Sequence, residues 1–143
     1  MNRKLFFATV AFATVAFATV AFATLANLTA PAFAGANDYV FEPVKADVKK
    51  GDDVVVSVRL KHKATGKPVT DAVIVQTRID MSPDAMGEMA SPLTTVTVPS
   101  SEPGVYSFKT DLSMAGRWLL SIAAKVQGEA ETVVGKITFR ATR

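Results

Sequence analysis

Methionine is the residue type in this chain with chemistry to offer. Beyond Met1 there are four, Met81, Met86, Met89 and Met114, and all of them fall in two short stretches, DMSPDAMGEM and LSMAGRW. A thioether sulfur is a soft donor that needs no deprotonation, so several converging sulfurs favour Cu(I) over zinc or the hard cations. The competing use of methionine is as a flexible filler of apolar gaps and a contact for rings such as Trp118. Met81, in phase with Val75 and Ile79 along an alternating run, is the one best suited to a core.

Other chemistries are thinly provided. Cysteine is absent and histidine occurs once, which excludes the cysteine nucleophile, thiolate ligands and multi-histidine zinc sites. The one histidine, His62, stands between Lys61 and Lys63 and reads as a solvated surface residue. Asp80, Asp84 and Glu88 flank the methionines and could add oxygen ligands or attract a cation, although loop carboxylates are usually just solvated. No glycine-rich phosphate loop follows a strand pattern, and no serine has a base at a recognisable spacing. Catalysis is therefore not expected, and no catalytic residue is assigned.

The elements that must position the methionines are strands. VVVSVRL sets Val54, Val56, Val58 and Leu60 against Val55, Ser57 and Arg59; AVIVQTRIDM sets Val73, Val75, Thr77, Ile79 and Met81 against Gln76, Arg78 and Asp80. The same period runs through VYSFKTDL and RWLLSIAAKV, with turn signals at Lys50-Gly51-Asp52, Gly66-Lys67-Pro68, Pro103-Gly104 and Gly128. Seven strands are predicted, near residues 38–43, 53–61, 72–81, 93–99, 104–110, 117–126 and 131–140. That pattern reads as an all-β, immunoglobulin-like antiparallel sandwich, with a small barrel as the runner-up. In such an order the connections bearing the methionines emerge at one end, where Met114 could meet the other three.

The stretch from Met81 to Met89 breaks the alternation. Ser82 can cap a helical turn, Pro83 suits its first position and Asp84 complements the dipole, so a short helical turn is expected with Met86 and Met89 on one face.

The N-terminus decides the compartment. FATVA is written four times between Phe7 and Ala26, the fourth as FATLA, and its odd period gives no polar face in a helix or a strand. Arg3 and Lys4 precede it, no charge occurs from Leu5 to Asn37, and Ala32-Phe33-Ala34 offers the small residues that a signal peptidase reads. Residues 1–34 are expected to be a helical signal peptide cleaved after Ala34, leaving residues 35–143 as one periplasmic domain. Because the apolar run is nearly as long as a membrane span, an uncleaved anchor facing the periplasm is the competing reading, and membrane contact is expected only in that case. Removing Arg3 and Lys4 lowers the formal charge from +3 to +1, which takes away the main support for a nucleic-acid role.

The pairing of DMSPDAMGEM with PGVYSFKTDLSMAGRW, followed by a strand-turn-strand finish, resembles the FixH and YtkA-like family of small exported β domains over about residues 70–140. The resemblance implies an immunoglobulin-like sandwich and an association with copper-transporting pumps, oxidase assembly or heavy-metal efflux. By position it points to Met81, Met86, Met89 and Met114 as metal ligands and to Cu(I) as the metal. FixH-type proteins keep a membrane anchor, whereas this chain is expected to lose its apolar segment. The expected function is a non-enzymatic periplasmic domain that binds or hands over Cu(I) to a membrane protein of efflux or oxidase assembly. The alternative is a metal-free adaptor of an envelope complex.

Overall fold

The computed structural model describes residues 35–98 and 102–143, so the expected signal peptide, residues 1–34, lies outside the described residues. The strands in chain order are β1 (Tyr39–Pro43), β2 (Asp47–Lys49), β3 (Gly51–His62), β4 (Val73–Met81), β5 (Met86–Ser91), β6 (Leu93–Val96), β7 (Val105–Leu112), β8 (Gly116–Lys125) and β9 (Thr132–Thr142). They form two sheets, ordered β1-β3-β7-β6 and β2-β9-β8-β4-β5. Every pairing is antiparallel except β2 with β9. The chain is the immunoglobulin-like β-sandwich that its alternation predicts.

The core forms because each long strand turns one set of alternate side chains inward. From the first sheet come Val56, Val58, Leu60, Phe108 and Leu112, all without exposed surface. Ile79, Leu120, Val133 and Phe139 meet them from the second sheet, also without exposure, and Trp118 lies among them at 1%. Cross-strand register aligns these groups, with Ile79 opposite Leu120, Leu120 opposite Ile137 and Trp118 opposite Phe139. With no cysteine in the chain, this apolar contact is the main source of stability.

Three expectations are corrected. Nine strands are described rather than seven, because β2 and β5 were not anticipated. β2 is too short to show a period; it is recognised only by its pairing with β9, where Asp47 lies opposite Arg140. The helical turn expected across residues 81–89 is confined to a 3-10 turn at Ser82–Asp84. Ala85 then takes a left-handed conformation, φ 60° and ψ 25°, and the chain turns back as β5. Met86 and Met89 therefore do not share a helical face.

The third correction concerns the phase of β4. A bulge between Ile74 and Gln76 slips the ladder with β8 by one residue. Thr77, Ile79 and Met81 keep the inward phase, but upstream of the bulge Ile74 is inward, opposite the buried Ala124. Val73 and Val75, expected in the core, are 60% and 55% exposed.

One close approach between the sheets constrains the sequence. A Cβ placed on Gly135 of β9 would lie 2.4 Å from the Phe41 ring of β1. Phe41 is itself buried against the core and cannot simply withdraw. Gly135→Ala is expected to lower unfolding stability by about 1–3 kcal/mol through overpacking. Denaturant unfolding that gives an unchanged midpoint would show that the two strands can part without cost.

Candidate functional site

The end of the sandwich that carries the methionines is built on two carboxylates. At the end of β4, Asp80 is only 6% exposed although it points away from the core side. Its Oδ1 accepts the Ser82 backbone N–H at 3.0 Å and the Ser82 hydroxyl, while its Oδ2 accepts Arg78 Nε at 2.8 Å. The same guanidinium donates from its other side to the Gly87 carbonyl at 3.0 Å, tying β4 to the returning chain. These bonds hold the reversal in place and offset the left-handed strain at Ala85, of the order of 1 kcal/mol. The Ser82 hydroxyl, followed by its N–H and by Arg78, holds the Asp80 pKa below the ordinary carboxylate value, against the upward push of burial.

Asp84 reaches from the 3-10 turn to the other connection. It accepts the Arg117 backbone N–H at 2.6 Å and Arg117 Nε at 2.7 Å, and Arg117 also donates to the Pro83 carbonyl at 2.7 Å. The backbone N–H first, and the guanidinium after it, lower the Asp84 pKa. Gly116, beside Arg117, has φ 146°, and a Cβ there would sit 2.6 Å from Met81 Cε and 2.7 Å from Asp84 Oδ2. Only glycine lets the β7–β8 turn come this close. On the other side of that turn, Trp118 Nε1 donates to the Met114 carbonyl at 3.1 Å, fixing the turn to the core ring.

The four methionines are placed as follows. Met81 has no exposed surface, and its methyl packs against Gly116. Met86 is the cross-strand partner of Met81 in the β4–β5 pairing. The next pair in that ladder is Asp80 with Ala90, so residues 87–89 bow out of it, and Met89 returns half-buried against the core as Met86 does. Met114 is 40% exposed on the β7–β8 turn. The two connections thus share one end, joined by Asp84 and Arg117. Met81 and Met86 are neighbours there, and Met81 also touches the turn that carries Met114.

Among the described residues, no three His, Asp or Glu side chains converge where they could hold one ion. His62 lies at the far end of β3, its ring edge-on to Tyr39 at 5.3 Å. The Tyr39 hydroxyl donates to Glu129 at 2.8 Å, and burial together with that carboxylate raises its pKa to about 12. That phenol stays protonated at neutral pH, which suits a structural role.

Sequence reasoning found the methionines by type but missed Arg78 and Arg117, and it gave Asp80 and Asp84 the wrong work. A signal was available for one of them: Asp80-Met81-Ser82 is the spacing at which an aspartate bonds the backbone two residues on. Nothing local pairs Asp84 with Arg117, which are 33 residues apart.

A family model described as YtkA-like matches residues 33–123, more than half of the chain. Comparison with curated proteins returned no match. Among solved structures, the chain is similar to the Lin-41 filamin domain, with 18% identity, 74% of this chain and 93% of that one covered, and a TM-score of 0.43. It is also similar to the C-terminal domain of ZirS, at 15% identity, 98% and 94% coverage and a TM-score of 0.37. A conjugative transposon lipoprotein from Bacteroides eggerthii aligns at 11% identity, 74% and 98% coverage and a TM-score of 0.32.

The depressed pKa of Asp80 has a consequence for acid stability. A carboxylate whose folded pKa lies below its unfolded value adds stability that is complete above the ordinary carboxylate range, and this is lost as pH falls through the folded value. Asp80→Asn is expected to cost about 1–3 kcal/mol at neutral pH. The gap between variant and wild type should close below about pH 4. Denaturant unfolding of both proteins across that range checks this; a gap that stays constant into acid would mean that the charge on Asp80 contributes nothing.

Proposed function

The chain belongs to the YtkA-like family, and on that footing we propose that it is a non-enzymatic periplasmic binding module that takes Cu(I) at its methionine end. It would pass the ion to a membrane protein of metal efflux or oxidase assembly. The observation that carries this reading is the Asp84–Arg117 bracket, which joins the two connections bearing Met81, Met86, Met89 and Met114.

Thioethers are neutral, so they bind a soft monovalent ion without releasing protons and without the buried charge that carboxylates would bring. Met114 is exposed and Met86 and Met89 are partly so, which makes them the donors that an arriving ion meets. Met81 lies behind them and joins the set only by giving up part of its core contact. Periplasmic placement follows from reading residues 1–34 as a signal segment, and a cysteine-free soft site suits an oxidising compartment.

The burial of Met81 and the half-burial of Met86 and Met89 favour a second reading, in which the methionines only pack the end of a metal-free adaptor. Anaerobic titration with Cu(I) against a competing chelator separates the two. The copper reading expects a dissociation constant of about micromolar or tighter. It also expects that binding is lost when Met86 and Met89 are both changed to leucine, which keeps the packing volume. Weaker binding, or binding unaffected by the double change, would leave the adaptor reading in its place.

A further inference from the structure

The outer faces of the two sheets carry charge very differently. On the first sheet each cation of the face has a carboxylate partner: Lys61 has Glu42 at 2.8 Å, Lys109 has Asp53 at 3.5 Å, and Arg59 has Glu102. That face is balanced. On the second sheet the β8–β9 register puts Arg117 opposite Arg140, Ser121 opposite Lys136, Ala123 opposite Val134 and Lys125 opposite Thr132, all on the outer side. β4 adds Arg78 to the row of Ser121, and β2 adds Lys49 to the row of Thr142.

Two of these six cations are cancelled within the fold, Arg78 by Asp80 and Arg117 by Asp84. Arg140 has only Asp47, at 3.9 Å, and Lys49, Lys125 and Lys136 have no carboxylate partner among the described residues. Four cations thus stand against one carboxylate. Arg117 and Arg140 also lie directly across the ladder from each other, an arrangement that costs a sheet stability. Packing gives little in return, because both side chains are more than half exposed, at 55% and 71%.

The most exposed large apolar side chains among the described residues are on this same face. Val134 is 66% exposed, Val73 60% and Val75 55%. Val73 and Val75 stand on β4 and Val134 on β9, with Ala123 of β8 between them. Lys125 borders this aliphatic area on one side, and Arg78 and Lys136 border it on the other. Aliphatic groups within a cationic rim match a surface that is anionic above and apolar beneath, which is the make-up of an anionic lipid bilayer.

Two other classes of partner fit less well. Lys125 lies in the row of Thr132 and Lys49 in the row of Thr142, ten residues apart along β9. That is about 34 Å, so no single small anion meets them both. Protein interfaces are rich in aromatic anchors and poor in lysine. The outward positions of β2, β4, β8 and β9 include no aromatic residue, and three of the four uncancelled cations are lysines.

We propose that the outer face of the second sheet is a membrane-contact surface that lies against anionic phospholipid headgroups. Lys49, Lys125, Lys136 and Arg140 meet the lipid phosphates, while Val73, Val75 and Val134 enter the headgroup layer. This contact needs no apolar anchor, so it is open to the chain with or without residues 1–34.

The chain has no cysteine, so one introduced cysteine carries a label alone. The test places an environment-sensitive fluorophore on the exported protein at Val134→Cys, or on the opposite face at Val55→Cys, a site 43% exposed. Vesicles of phosphatidylcholine with about one third phosphatidylglycerol should shift the emission at 134 to the blue and leave that at 55 unchanged. Vesicles of phosphatidylcholine alone should shift neither, and salt at about 1 M should reverse the effect. Lys125→Glu with Lys136→Glu should raise the anionic lipid needed for half the shift by about twentyfold or more, each lysine near such a surface being worth about fivefold. Lys61→Glu with Lys109→Glu, on the balanced face, should raise it by less than about threefold. Melting curves will confirm that the variants fold. The proposal is overturned by no shift at 134 with anionic vesicles, by equal shifts at the two positions, or by an equal loss from the two lysine pairs, which would be a response to net charge alone. A shift at 134 with soluble polyglutamate and none with vesicles would also overturn it, by giving the face to an acidic polypeptide.

Discussion

The grip of the Asp84 carboxylate on Arg117 is the constraint on which the methionine end depends. One carboxylate accepts both the backbone N–H and the guanidinium of a single residue on the other connection, so it fixes position as well as charge. This is a charge-assisted arrangement with directional demands, stronger than an isolated surface pair between two mobile side chains. The contact in turn requires Gly116, since a side chain there would collide with Asp84 and with the Met81 methyl. Met81 is thereby held between the core and the turn, and Trp118 anchors the turn from its other side through the Met114 carbonyl. The pairing of β4 with β8 sets the β4–β5 reversal beside the β7–β8 turn, and the bracket ties the two together through side chains.

β4 links this end to the rest of the molecule. Its last residues carry Asp80 and Met81, and its first residues lie beyond the pairing with β5. Between them the bulge near Val75 reverses which side chains face inward, so a single strand contributes to the core along one half and exposes valines along the other. A small domain without disulfides stabilises itself through a closely packed interior, and Phe41 over Gly135 shows how little slack that interior holds.

Much of the sandwich was legible because alternation is a direct imprint of a half-buried strand. Val54 to Leu60, Tyr106 to Leu112 and Trp118 to Ala124 all declare their strands this way, and each appears where the period put it. β2 was not legible, since three residues define no period and its partner β9 is more than 80 residues away. Val73 and Val75 were assigned to the wrong face because a bulge is invisible to a rule that counts every residue once. At the candidate site, composition singled out the methionines, and chain order placed their two connections together. The polar frame escaped, apart from the local Asp80-to-Ser82 spacing, because Asp84 and Arg117 meet only after the sheets have formed. The helical reading of residues 81–89 held for one turn and failed at Ala85, where pairing of β5 with β4 outweighed the local signals.

The claim that the two connections act as one binding end is tested most directly by NMR of the protein labelled at its methionine methyl groups. Spectra would be recorded as Cu(I) is added without oxygen. If the end is one site, the Met86, Met89 and Met114 signals change together along a single binding curve that is complete at one ion per chain. If Met114 stays unchanged while Met86 and Met89 respond, or if no methyl signal changes at all, the two connections do not form a common copper site.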